Sequence, residues 1–242
     1  MENSKVDNLF GAIGFGFPQN KEELDAFDKA FEDYQFEGNI EKVNPEKILS
    51  DIKSSNTKVT QIDYHKRTVL AAEIVFKLQS EYTLGHLKLQ KLMYLCQHTT
   101  SMSLHTNFLK QAMGPYDPNL MRSIDKQFVV NKWFEYSPKD YPKYKPLDRV
   151  GEHKEWYERY FKEQLFDIDF LLEKFRRYRT DQVEIIATVF ACWKEAIEYK
   201  ELINNELIVK KFYLWHEDKA KYEKERIIKA IKWMTSEGIC PS

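Results

Sequence analysis

Cysteine is scarce in this chain of 242 residues, which holds only Cys96, Cys192 and Cys240. They are far apart, odd in number, and never at C-x-x-C spacing. That excludes a disulfide scaffold and a zinc knuckle, and fits a reducing compartment. Glycine and proline contribute eight residues each, too few for a collagen-like or low-complexity chain. Net charge is nearly absent: 37 Lys plus Arg face 38 Asp plus Glu, for -1 overall. A dedicated bulk polyanion binder is disfavoured, but a local basic face is not. No apolar run approaches the roughly 18 residues of a spanning helix. The first residues, Met-Glu-Asn-Ser-Lys, have no signal-peptide character. The expectation is a cytoplasmic protein with no membrane partner.

What is present is core-forming material, 43% hydrophobic and 14% aromatic. Residues 1–60 stand apart as an acidic leader, with 7 basic and 12 acidic side chains. The remainder is mildly basic. The leader carries Phe10-Gly11-Ala12-Ile13-Gly14-Phe15-Gly16-Phe17-Pro18, without the Lys and Ser/Thr of a phosphate loop. Such a peptide fits docking on a surface, with Phe15 and Phe17 as contacts. One or two helices follow, over 21–35 and after Pro45.

The body, 61–242, reads as mainly α, a helical bundle with one short strand near 132–136. Periodicity predicts helices over 64–79 and from Thr83 to Thr99, the second central with its Leu89, Leu92, Met93 and Cys96 stripe. Asp117 and Pro118 open a third as cap and first residue, followed by Leu120, Ile124 and Phe128. Pro138, Pro142 and Pro146 hold an extended loop. One long helix is expected over 152–178, burying Trp156, Tyr160, Gln164, Ile168, Leu171 and Phe175. The next is capped at Thr180 or Asp181. The last begins near Glu223 and ends at Gly238. Residues 206–232 interleave lysines with aromatics, and a winged-helix arrangement there is one reading.

No set of side chains declares catalysis. The histidines form no H-E-x-x-H motif, and neither metal ligands nor a cofactor is expected. His98 and His105, with Asp117 or Asp125, make at best a loose hydrolase constellation. Cys96 lies on an apolar stripe, as a buried inert thiol would. Lys88 and Lys91 alternate with leucines, which suits either phosphate contact or snorkelling from a half-exposed helix. Lys221, Lys224, Arg226 and Lys229 are further nucleic-acid candidates, diluted by acidic neighbours. Gly114-Pro115-Tyr116-Asp117 is the most distinctive run. It is either a rigid turn presenting Tyr116 to a protein partner or a structural corner.

Two segments resemble the Panacea domain, the SocA-like antitoxin family. Lys88-Leu89-Gln90-Lys91-Leu92, with Tyr94, is similar to its K-L-Q-K-L-x-Y helix. Gly114-Pro115-Tyr116 is similar to the G-P-x motif that follows. The resemblance covers 63–150, with 151–242 as a helical extension. From Asp63 onward, including Asn131-Lys132-Trp133-Phe134-Glu135-Tyr136-Ser137, the chain also resembles regions associated with type I restriction specificity subunits. The first resemblance implies a helical, non-enzymatic protein that acts through partners, and the leader or the run Gly114, Pro115, Tyr116 and Asp117 is where a partner is expected to bind. That partner would be a toxin encoded nearby, neutralised or presented, or a subunit of a defence system. The alternative it leaves open is an accessory of a restriction or phage-defence system that contacts DNA through 206–232. A second copy of the chain is a further candidate partner.

Overall fold

The computed structural model describes residues 60–241. Phe15, Phe17 and the expected leader helices lie outside them. Thr60 starts the first helix with a capping box. Its Oγ1 accepts from the Asp63 amide at 3.2 Å, and Asp63 Oδ2 accepts from the Thr60 amide at 2.8 Å. Helix α1 therefore begins three residues before the apolar pattern does, and runs Gln61–Leu78. α2 is His86–Thr99. A hairpin follows, β1 (Leu109–Gln111) antiparallel to β2 (Gly114–Tyr116), with Lys110 opposite Pro115. α3 (Pro118–Val130) is capped by Asp117 Oδ1, which accepts from the Asn119 and Leu120 amides at 3.1 Å. A second hairpin pairs β3 (Phe134–Tyr136) with β4 (Tyr144–Pro146).

Then come α4 (His153–Tyr160), α5 (Leu165–Phe175), α6 (Thr180–Glu198) and α7 (Asn205–Trp215). A short 3-10 helix, Glu217–Lys221, leads into α8 (Lys224–Ser236). The described residues are thus mainly helical, with two short antiparallel two-stranded sheets. None of these helices is long and apolar enough to cross a membrane.

α2 and α6 are the central pair. α2 packs on α1, α5, α6 and β2, and α6 packs on α7, α8 and β2. Every residue from Leu87 to Cys96 is buried, because neighbours cover α2 on all sides. One hydrophobic core joins α1 and α2 to α6 and α8.

Three expectations are corrected. The helix expected over 152–178 is two helices, broken between Tyr160 and Leu165. The break lets Tyr157 and Phe161 enter the core, while Trp156 stays 39% exposed. Nothing in that stretch is Gly or Pro, so tertiary packing alone imposes it. The winged-helix reading also fails: among the described residues after 150 there is no strand to form a wing. Finally, Gly114-Pro115-Tyr116 is a strand and not a projecting turn.

Candidate functional site

The two segments that carry the family resemblance are bonded to each other. Gln90 Oε1 accepts from the Asp117 amide at 3.0 Å, and Gln90 Nε2 donates to the Asp117 carbonyl at 2.9 Å. The side-chain amide thus substitutes for a neighbouring strand. Lys91 Nζ donates to the Pro115 carbonyl at 2.5 Å. Proline brings no amide hydrogen to this edge, so the lysine satisfies the one polar group it presents. Asp117 Oδ2 accepts from the Asn107 amide at 2.8 Å. Gly114 has φ +89, and a Cβ there would lie 2.6 Å from Thr188 Oγ1 on α6. Only glycine fits that close approach and that left-handed backbone.

These contacts correct several expected roles. Lys88 and Lys91 are fully buried and do not reach a nucleic acid. Lys88 Nζ donates to Thr83 Oγ1 at 2.7 Å and to the carbonyls of Arg176 and Tyr178 at 2.8 and 2.7 Å. All three ammonium protons are therefore used. Burial pushes Lys88 down to about 8 and Lys91 down to about 7, the latter against the pull of Glu184. Gly114, Pro115 and Asp117 are also buried and build the hairpin and the start of α3, and of the three only Pro115 borders the groove described next. Tyr116 is half-buried, its ring 5.8 Å from Lys91 Nζ.

The outer face of this clamp lines an open groove of about 360 Å³. Phe108, Lys110 and Pro115 form the hairpin wall, and Tyr94 with His98 come from α2. Lys194, Glu195 and Glu198 come from α6, and Tyr199 with Trp215 close the end. Its charges are paired within the wall. Lys110 Nζ lies 2.8 Å from both Glu195 oxygens and 5.2 Å from the centroid of the Trp215 ring. Lys194 is paired with Glu198. Trp215 Nε1 donates to the Gln111 carbonyl at 2.8 Å, tying α7 to the hairpin. Burial, then Lys194, pushes His98 down to about 4, so its imidazole is neutral at physiological pH. Large side chains stand exposed in the stretch from the end of α6 to α7: Tyr199 is 71% exposed, Leu202 86% and Leu214 73%.

The loose hydrolase constellation does not assemble. His86 takes Asp125 at 2.8 Å, and His105 lies 3.6 Å from Asp63. Asp117 is spent on α3 and Asn107. Among the described residues, no three His, Cys, Asp or Glu side chains converge as metal ligands do. Cys96 is fully buried, and burial pushes its thiol up to about 12. Of the C-terminal cations, Lys221, Lys224 and Lys229 are exposed, while Arg226 donates to Asp181 at 2.7 Å.

Sequence reasoning missed Lys110, Glu195, Tyr199 and Trp215. They come from three separate segments, and no local pattern links them. It also read Lys219 as one of the basic residues of 206–232, whereas this cation is fully buried, its Nζ 2.7 Å from Glu184 Oε1. No known protein family, curated protein or solved structure matches this chain.

Proposed function

We propose that the protein is a non-enzymatic, antitoxin-like regulator that binds a cognate protein partner, and that the groove beside the β1–β2 hairpin is the docking surface. The observation that supports this reading is the clamp of Gln90 and Lys91 onto Asp117 and Pro115. It makes the two family-like segments one rigid unit, and that unit forms a wall of the groove. A wall fixed before binding lowers the entropy cost of association. Exposed Tyr199 and half-buried Trp215 offer the aromatic surface that dominates protein interfaces. Paired charges around them favour register and specificity over bulk attraction.

The test is affinity capture of the tagged protein, expressed with its neighbouring genes, and mass spectrometry of what co-purifies. The expected result is one protein at near-stoichiometric level whose expression alone arrests growth. Tyr199→Ala should weaken its binding about 10-fold with the thermal midpoint unchanged, and Lys110→Glu should weaken it similarly with a small drop in midpoint from the lost Glu195 pair. Unchanged affinity in both variants would remove the groove from the interface. Capture of restriction subunits or DNA in place of a growth-arresting protein would overturn the antitoxin-like reading.

A further inference from the structure

On the far side of α6, away from the hairpin groove, lies a second cleft of about 270 Å³. It runs between α6 and α8 because both helices present a stripe to it. Gln182, Ile185 and Ile186 are spaced three and four apart on α6, and Arg226, Lys229, Ala230 and Trp233 repeat that spacing on α8. The floor is apolar: Ile185, Ile186 and Ala230. Tyr178 and Trp233 make an aromatic wall, with ring centroids 5.3 Å apart, and Phe175 braces Trp233 edge-on at 5.3 Å. The buried ammonium of Lys88 holds the Tyr178 carbonyl at 2.7 Å. The wall is therefore in place before anything binds.

The rim is cationic. Arg226 and Lys229 line it, and exposed Lys224 and Lys232 continue along α8. Arg177 and Arg179 stand exposed just ahead of α6. The nearby carboxylates are Asp181, Glu223, Glu225 and Glu237, the last paired with Lys174 at 2.5 Å. Asp181 sits between two guanidiniums, at 3.0 Å from Arg179 and 2.7 Å from Arg226. The balance at the rim is positive.

We propose that this cleft binds single-stranded nucleic acid, with one base against Tyr178 and Trp233 and the adjoining phosphates on Arg226 and Lys229. An apolar, aromatic recess under a cationic rim complements a flat base beside an anionic backbone. The recess is near the lower end of small-ligand pocket sizes, about 300 Å³, which suits one unstacked base. A duplex keeps its base faces stacked and out of reach. Cations continuing beyond the recess call for more phosphates than a free nucleotide carries. This inference does not depend on the partner groove.

Fluorescence anisotropy with a labelled oligothymidine of about 12 nucleotides tests it on the full chain. The logarithm of the affinity should fall linearly with log salt between about 50 and 200 mM. Ala230→Phe fills the recess and Gln182→Trp, at an exposed position, plugs its mouth. Both leave the charge unchanged, and each should weaken binding about 10-fold, the scale of one lost base stack. Lys229→Glu should weaken it similarly and make the salt slope shallower by roughly 0.7. Three outcomes would overturn the proposal: parental affinity in both blocking variants, duplex binding as tight as single strand, or displacement by ATP at oligonucleotide-like concentrations. Absence of binding to the parent chain would do the same.

Discussion

Helices α2 and α8 both interleave lysines with apolar residues, yet they use them in opposite ways. On α8 the apolar stripe of Ile227, Ile231 and Met234 is buried, and Lys224, Lys229 and Lys232 stay in water. On α2 two lysines are as buried as the leucines beside them. What differs is the surroundings. α2 is covered by α1, α5, α6 and β2, and those elements offer carbonyls where the ammonium groups arrive. A lysine can be buried only where such acceptors offset its lost hydration. The same residue type is therefore a solvated charge on one helix and an internal strut on the other.

The comparison breaks hardest at Lys219. Lys219→Ala leaves Glu184 buried without its cation, and should cost about 3–5 kcal/mol in urea unfolding. Lys229→Ala, at a comparable position in sequence but exposed, should stay within about 0.5 kcal/mol. Equal effects would mean that burial does not distinguish the two lysines. Next in size is Gly114→Ala. It meets Thr188 Oγ1 and needs a left-handed backbone, so a loss of about 2–3 kcal/mol is expected in the same measurement.

A separate test of the buried lysines reads pH dependence. Lys91 falls from 10.5 to about 7 on folding. Below about pH 7 it is charged in both states, and its burial penalty is fully present. Above that, up to about 10.5, the unfolded chain binds the proton more tightly, so stability rises with pH. Lys88, lowered to about 8, adds to the upper part of this window. Cys96 and Cys192 act in the other direction. Burial raises both thiols from 9.0 to about 12, so ionisation of the unfolded thiols lowers stability above about pH 9. The urea midpoint should climb from about pH 7 toward 9 and then fall. In Lys91→Met the early climb should flatten, and an unchanged profile would remove Lys91 as its source.

Some of this was legible in advance. Asp117-Pro118 announced the start of α3, because the carboxylate satisfies helix amides and proline needs none. Gly238, at φ +71, ends the last helix region as expected. The unbroken apolar character around Tyr94 and Leu95 marked α2 as central. Other features had no local signal. The break after Tyr160 carries no breaker residue. α7 passed unnoticed within a stretch read mainly for its charge. In the candidate site, the Gly114-Pro115-Tyr116-Asp117 run was conspicuous, but the surface it serves belongs to Lys110, Glu195, Tyr199 and Trp215.

By itself the sequence determined the helical class, the caps and the apolar stripes, since these depend on neighbours within one or two turns. Tertiary structure alone decided which cations are inside. The burial of Lys88, Lys91 and Lys219 depends on acceptors 88, 24 and 35 residues away, at Arg176, Pro115 and Glu184. No local pattern encodes a partner at that distance, and the cost of an unpaired buried charge makes that partner decisive.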